Sequence, residues 1–369
     1  MSNVRYVLGI SGGKDSTALA IYLKTKYPQL DIEYYFCDTG KELDETYELL
    51  NNLEVFLGKK ITKLNAVPGS PRDPFDHFLE LYGGYLPSSN ARWCTKHLKL
   101  EPFEDFVGDD PVVSFVAIRG DEDREAYISR KPNIQSIFPF RHNIWSEDVI
   151  RLVLGMQNLD RLIELYSSLE FKDSKNKKLA LDIACRPLSM TYPQDRKLNE
   201  LLRIDAKAFN TVVFNFLKST SYPLAKVESF PILDNDEILT IENVFRILKE
   251  SGVGVPAYYE KIEFELDGQK GHFSRSRSGC YFCFFQQKIE WIWLYEKHPE
   301  LFEKALQYEK DGYTWMQGER LEEIIKPKRI RQIKEEQLRR LNRQPTTNSG
   351  YLVDIIQEAE GEGCAVCFI

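Results

Sequence analysis

A chain of 369 residues, 43% of them hydrophobic, is long enough for two domains or for one large domain with an insertion. Its mean hydropathy of −0.40 fits a globular protein, and no apolar run approaches the ~18 residues of a membrane span. The net charge of −7 excludes a protein that coats nucleic acid through bulk electrostatics. Seven cysteines, with no signal-type segment at the N-terminus, predict a cytoplasmic protein without membrane partners rather than a disulfide framework.

Residues 6–10 (YVLGI) form a short apolar run suited to a buried parallel strand. Ser11-Gly12-Gly13-Lys14-Asp15-Ser16 follows, and residues 17–22 continue as an apolar helix. Two glycines let backbone N–H groups approach a ligand, and the helix N-terminus adds a positive dipole end. Lys14 neutralises phosphate charge, and the Ser11 and Ser16 hydroxyls donate hydrogen bonds. A Walker A loop would place Ser or Thr after its lysine to meet magnesium. Asp15 stands there instead, so this is a different phosphate cradle.

Residues 32–36 (IEYYF) predict a second buried strand, ending in Cys37-Asp38-Thr39-Gly40. Ligands of open α/β sheets sit at the carboxyl ends of strands, so Asp38 and Thr39 are expected to face the ribose or adenine of a nucleotide. Cys37 reads as a small buried apolar residue. Residues 92–99 (RWCTKHLK) place Cys94 among Arg92, Lys96 and Lys99, cations that lower a thiol pKa. Cys94 is therefore a nucleophile or a metal ligand. Residues 112–118 predict a further buried strand, running into Arg119-Gly120-Asp121-Glu122-Asp123-Arg124. Residues 136–140 (SIFPF) predict a later strand, and 229–233 (SFPIL) repeat its character. Residues 147–171 and 199–217 carry amphipathic helix patterns.

Residues 274–285 (SRSRSGCYFCFF) hold Cys280 and Cys283 on one tight turn, two soft ligands of the kind zinc and iron–sulfur sites use. A closed site normally takes four. Cys94 and the tail pair Cys364 and Cys367 are the candidates for the remainder. Three readings stay open: a [4Fe–4S] cluster on Cys94, Cys280, Cys283 and one tail cysteine; a Zn2+ knuckle made of the two C-x-x-C pairs; and a redox-active dithiol. In residues 287–302, Trp291 and Trp293 read as core rather than base-stacking residues, and His298 as structural. The basic run at 326–343 reads as a solvated helix face.

The S-G-G-K-D-S loop resembles the PP-loop of the adenine-nucleotide α-hydrolase superfamily. The C-D-T-G, the R-G-D-E segment and R-W-C-T with Lys99 and Pro102 resemble proteins of the phosphoadenylyl-sulfate (PAPS) reductase-like family, although Ala117, Asp123 and Arg124 depart from its pattern. Residues 252–259 (GVGVPAYY) resemble the G-[IV]-x-x-P-x-Y-Y segment of related chains. R-W-C-T and R-S-G-C-x-x-C resemble most the family's DNA-phosphorothioation branch (DndC-like and SspD-like proteins). The resemblance implies a doubly wound, mostly parallel α/β sheet over residues 1–140, a mainly helical insertion at 141–228 that includes Cys185, and a cysteine-containing C-terminal region at 229–369. It implies an enzyme that cleaves ATP between the α- and β-phosphates with Mg2+, with Arg119 on phosphate or sulfate and Asp121 and Glu122 fixing the loop. It favours the cluster over zinc. It also implies activation of an acceptor such as a DNA backbone phosphate for thiolation in a modification or antiphage defence pathway. A cysteine desulfurase and other subunits of the complex would then be partners, and DNA an assisted substrate. The alternatives are a thioredoxin-linked PAPS reductase, a nucleotide-binding defence subunit and tRNA thiolation. That reductase group carries an E-C-G-x-H-type tail where this chain reads GCAVCFI.

Overall fold

The structure, a computed structural model, describes residues 4–122, 129 and 131–342. Asp123, Arg124, Cys364 and Cys367, singled out in the sequence, lie outside the described residues. The first half alternates strands and helices: β1 (Arg5–Gly9), α1 (Lys14–Lys26), β2 (Ile32–Asp38), α2 (Asp44–Leu57), β3 (Ile61–Asn65), α3 (Pro74–Leu81), α4 (Trp93–Thr95), a π-helical turn (Lys96–Leu100), α5 (Glu101–Val107), β4 (Val112–Phe115) and β5 (Ile134–Ile137). The five strands form one parallel sheet in the order β3-β2-β1-β4-β5. This is the expected α/β doubly wound fold. Strand order reverses at β1, which pairs with both β2 and β4. The carboxyl end of β1 is thus the topological switch point where such sheets bind ligands.

Helices α6 (Glu147–Leu154), α7 (Leu159–Ser168), α8 (Ser174–Ala184), α9 (Gln194–Ile204) and α10 (Ala206–Leu217) follow β5. Two long amphipathic patterns are thus each split. Gly155 stands between α6 and α7 with extended backbone (ψ 145°). Asp205 stands before α10 and accepts the Ala208 N–H (2.9 Å), a side-chain cap that starts a new helix. These helices share one apolar cluster with the sheet, in which Phe209, Val212 and Phe216 join Leu8, Phe115 and Ile137.

The chain then forms α11 (Ile241–Ser251), a hairpin of β6 (Ile262–Leu266) and β7 (Gln269–Phe273), and α12 (Lys288–Lys297), α13 (Pro299–Gln307), α14 (Leu321–Ile324) and α15 (Pro327–Asn342). The SFPIL segment is not a second SIFPF strand. Pro231–Asp234 is a 3₁₀ turn, and proline has no N–H to give a ladder. A second apolar cluster is built from Trp291, Trp293, Phe282, Trp93 and Phe75, so both tryptophans are core residues. His298 links α12 to α13 and packs its ring 5.1 Å from Trp293. Within the basic run, Arg329, Arg331 and Lys334 pair with Glu319, Asp267 and Glu296, which docks α15 by ion pairs. Among the described residues no helix is long and apolar enough to cross a membrane.

Candidate functional site

The Ser11–Ser16 segment leaves β1 at the switch point and enters α1. Gly13, the N-cap of α1, offers no side-chain cap, so the first N–H groups of the helix take partners from outside it. Gly12 has φ +71°, and a Cβ there would lie 2.2 Å from Thr46 Cγ2, so only glycine fits. Ser16 Oγ accepts from the Ser11 N–H (3.1 Å), and the two hydroxyls lie 3.1 Å apart. Distant chain closes over this turn. Tyr258 donates its hydroxyl to Gly12 O (2.8 Å), the Lys14 N–H donates to Tyr259 Oη (3.2 Å), and Ser278 Oγ reaches Ser11 Oγ (3.5 Å).

Lys14 and Asp15 are 8% and 3% exposed. Lys14 Nζ donates to Asp15 Oδ2 (2.9 Å) and Ser276 O (3.4 Å), and its ammonium lies 5.2 Å from the Tyr259 ring centroid. Arg119 Nη1 donates to Asp15 Oδ1 (2.8 Å). Burial works to raise the Asp15 pKa, but the charges of Lys14 and Arg119 overcome it and hold it below the usual carboxylate value. Arg119 also bonds Asp121 (2.9 Å) and Glu122 (2.7 Å), and Asp121 accepts the Ile241 N–H (3.2 Å) at the start of α11. Arg119, Asp121 and Glu122 thus meet the phosphate loop at Asp15.

At the end of β2, Asp38 Oδ1 accepts from Gly40 N–H (3.0 Å) and the Tyr47 hydroxyl (2.9 Å). Thr39 is buried and donates to Glu42 Oε1 (2.6 Å), with Cys280 Sγ 3.2 Å from the same hydroxyl. Glu42 also accepts the Lys41 N–H (3.1 Å), and burial pushes its pKa up to about 7. Cys37 is the buried apolar residue expected; burial raises its pKa to about 12.

Tyr281 N donates to Lys41 O (2.9 Å), which ties the C-x-x-C turn to the end of β2. The R-W-C-T segment packs on the same turn: the Trp93 and Phe282 rings both pack, tilted, against Phe75 (5.2 and 4.5 Å between centroids), and Arg92 lies over the Phe285 ring (5.1 Å). Cys94 and Cys280 pack on one apolar cluster, and Cys283 N–H donates to Cys280 O (3.3 Å). Burial pushes the isolated Cys280 thiol well up, and a bound metal reverses that by deprotonating it. Arg275 is 1% exposed and donates to Cys280 O (3.1 Å), while its Nε and Nη1 have no hydrogen-bond partner among the described residues. Both amide atoms of Gln286, close behind the turn, are likewise buried and unpartnered. Orphan donors beside two thiols suit an anionic, thiolate-held group. Yet among the described residues no three His, Cys, Asp or Glu side chains converge as a metal site. The described residues therefore fit part of such a group, and Cys364 and Cys367 lie outside them.

No family model matches the chain. Over 145 residues, 36% of the chain, it is 34% identical to an uncharacterized protein of Methanocaldococcus jannaschii, and the match covers 28% of that protein. Over 117 residues, 30% of the chain, it is 28% identical to adenosine 5′-phosphosulfate reductases of Bacillus cereus and Bacillus thuringiensis subsp. konkukian, covering 48% of them. The chain is a distant homologue of these reductases. The chain spans less than half the length of the curated relatives it matches.

Glu42, Ser276 and the two tyrosine hydroxyls are site residues that the sequence does not reveal. Tyr258 and Tyr259 stand in the GVGVPAYY segment, and their chemistry shows only once β1 and the C-terminal region are brought together.

Proposed function

We propose that this protein is an ATP-pyrophosphatase-type enzyme of sulfur transfer. The observation that carries the reading is the Lys14–Asp15–Arg119 arrangement at the switch point, on a helix start whose N-cap Gly13 offers no side-chain cap. The N–H groups at the start of α1 and Lys14 hold the phosphates, and an arriving phosphate replaces Tyr259 on the Lys14 N–H and Asp15 on its ammonium. Mg2+, when bound, would supply charge neutralisation on the leaving pyrophosphate. An acceptor oxygen attacks the α-phosphorus, the bond to the bridging oxygen breaks, and pyrophosphate leaves with that electron pair. The acceptor is then an adenylyl ester or anhydride, from which a sulfur nucleophile displaces AMP. A DNA backbone phosphate is the acceptor, and a cysteine desulfurase with other subunits of a modification complex supplies the sulfur. A [4Fe–4S] cluster would take thiolates from Cys280 and Cys283, with Cys94 and a tail cysteine as the remaining candidates; among the described residues no three such side chains already converge. The test is pyrophosphate release from ATP with acceptor and sulfur donor present. Lys14→Ala should abolish it, and full turnover in that variant would sink the reading.

The named relatives favour a second reading, a reductase of an adenylyl sulfate. Sulfite release from adenylyl sulfate with reduced thioredoxin, and no ATP requirement, would select it.

A further inference from the structure

A cleft of about 660 Å³ opens beside the phosphate loop, between the sheet and the helices that follow β5. One wall is Gly120, Glu122 and the turn Arg141-His142-Asn143; the other is α9, through Leu198, Asn199, Leu202 and Arg203. It adjoins the proposed reaction centre through two links. Arg141 donates to Arg119 O (3.4 Å) and Glu122 O (2.9 Å), and Arg119 in turn holds Asp15 (2.8 Å). A Cβ on Gly120 would lie 2.2 Å from Ile238 Cγ2, so glycine lets the apolar Ile238 close onto this wall.

Among the described residues the lining has one carboxylate, Glu122, which pairs with Arg119 (2.7 Å). Against it stand the guanidinium groups of Arg141 and Arg203, with the His142 imidazole beside them. Among the described residues Arg203 has no acidic partner. This cationic recess lies in a chain of net charge −7, so its sign is opposite to the bulk field and selects an anion. Leu198, Leu202 and Ile238 add an apolar floor. Cations beside apolar surface suit a phosphate ester carrying a sugar or base.

We propose that this cleft binds the acceptor, a phosphodiester strand, with His142 and Arg203 contacting its phosphates. The helices after β5 thereby form one wall of the acceptor site. The assignment rests on the adenylyl-transfer reading for its chemistry, but binding is separable from turnover.

The experiment is fluorescence anisotropy with a labelled short single-stranded DNA oligonucleotide across a salt series, on the full chain. The variants are Arg203→Glu, His142→Ala and the pair, with Arg151→Glu on α6 as a control outside the cleft. The pair should weaken binding at least tenfold and flatten the salt slope by about 0.7 for each phosphate left without its cation. ATP binding and the melting temperature should hold. The milder Arg203→Gln should weaken binding less, in the same direction. Unchanged affinity in the pair, equal weakening in Arg151→Glu, or no binding by the wild type would overturn the proposal. So would weakened binding of inorganic phosphate with oligonucleotide affinity intact, which would assign the cleft to a small phosphate ester. Persistent pyrophosphate release in Lys14→Ala would instead sink adenylyl transfer and leave the binding result standing.

Discussion

The hydroxyl oxygen of Tyr259 accepts the backbone N–H of Lys14 at 3.2 Å, across 245 residues of chain. That N–H is the first of α1 and belongs to the set a phosphate would use. Tyr259 therefore stands in for a ligand oxygen. Tyr259→Phe removes an acceptor and leaves a helix N–H unsatisfied. The expected loss is about 1 kcal/mol of stability without nucleotide. A phosphate oxygen then takes the vacant place, so the deficit should shrink when ATP and Mg2+ are present. Thermal melting of both proteins with and without nucleotide checks this. An equal deficit in both conditions would mean that nucleotide does not reach this N–H.

Asp15 sits between two cations, at 2.9 Å from Lys14 Nζ and 2.8 Å from Arg119 Nη1. Asp15→Asn keeps the shape and removes the charge both cations face. Breaking a buried pair costs about 3 kcal/mol, and Arg119 keeps Asp121 and Glu122 to moderate it. The wild-type advantage follows the lowered Asp15 pKa. It is fully present above the unfolded carboxylate pKa and is lost as pH falls through the lower folded value. Denaturant melts of the two proteins should therefore differ at pH 7 and converge in strong acid.

How much of the site is legible in the sequence depends on distance along the chain. Ser11–Ser16 reads as a phosphate loop because glycines, lysine and strand–helix context lie within a few residues. Asp38 and Thr39 follow from the rule that ligands meet strand carboxyl ends. Glu42, close behind them, escapes that rule, because its burial depends on Thr39, Tyr47 and the far C-x-x-C turn. The contacts of Tyr258, Ser276 and Arg275 are set by folding of the C-terminal region onto β1, which no local periodicity encodes. The long patterns at 147–171 and 199–217 read as unbroken, since a hydrophobic stripe survives a glycine or a cap that ends one helix and starts another.

Lys197, in α9, is fully buried and donates to Ala184 O and Arg186 O at 2.8 Å each, with no carboxylate partner among the described residues. Burial lowers its pKa to about 8. The unfolded lysine titrates near ~10.4, so between these values the unfolded state binds more protons and stability rises with pH. Lys197→Met removes the titration. Its stability relative to wild type should fall by on the order of 2 kcal/mol between about pH 7.5 and pH 10. Parallel stability profiles across that window would show that Lys197 does not change charge there.

Among the described residues Arg275, which donates to Cys280 O, keeps Nε and Nη1 without hydrogen-bond partners while 1% exposed, and a buried guanidinium without a counter-charge is costly. A thiolate-held group on Cys280 and Cys283 would supply that charge. Protein purified without oxygen should therefore show broad visible absorption and about four irons per chain with matching sulfide. Cys280→Ser and Cys283→Ser should lose the band, and chelation should lower the melting temperature of the wild type more than that of either variant. Arg275→Lys should keep the iron and shift the reduction potential, because it removes the guanidinium that donates to the Cys280 carbonyl. A colourless protein with about one zinc would instead give the tail pair Cys364 and Cys367 a structural role, leaving Cys94 as the candidate sulfur carrier. A metal-free protein that melts unchanged with chelator would leave only the dithiol, and would leave the Arg275 guanidinium with no thiolate-held group to balance it.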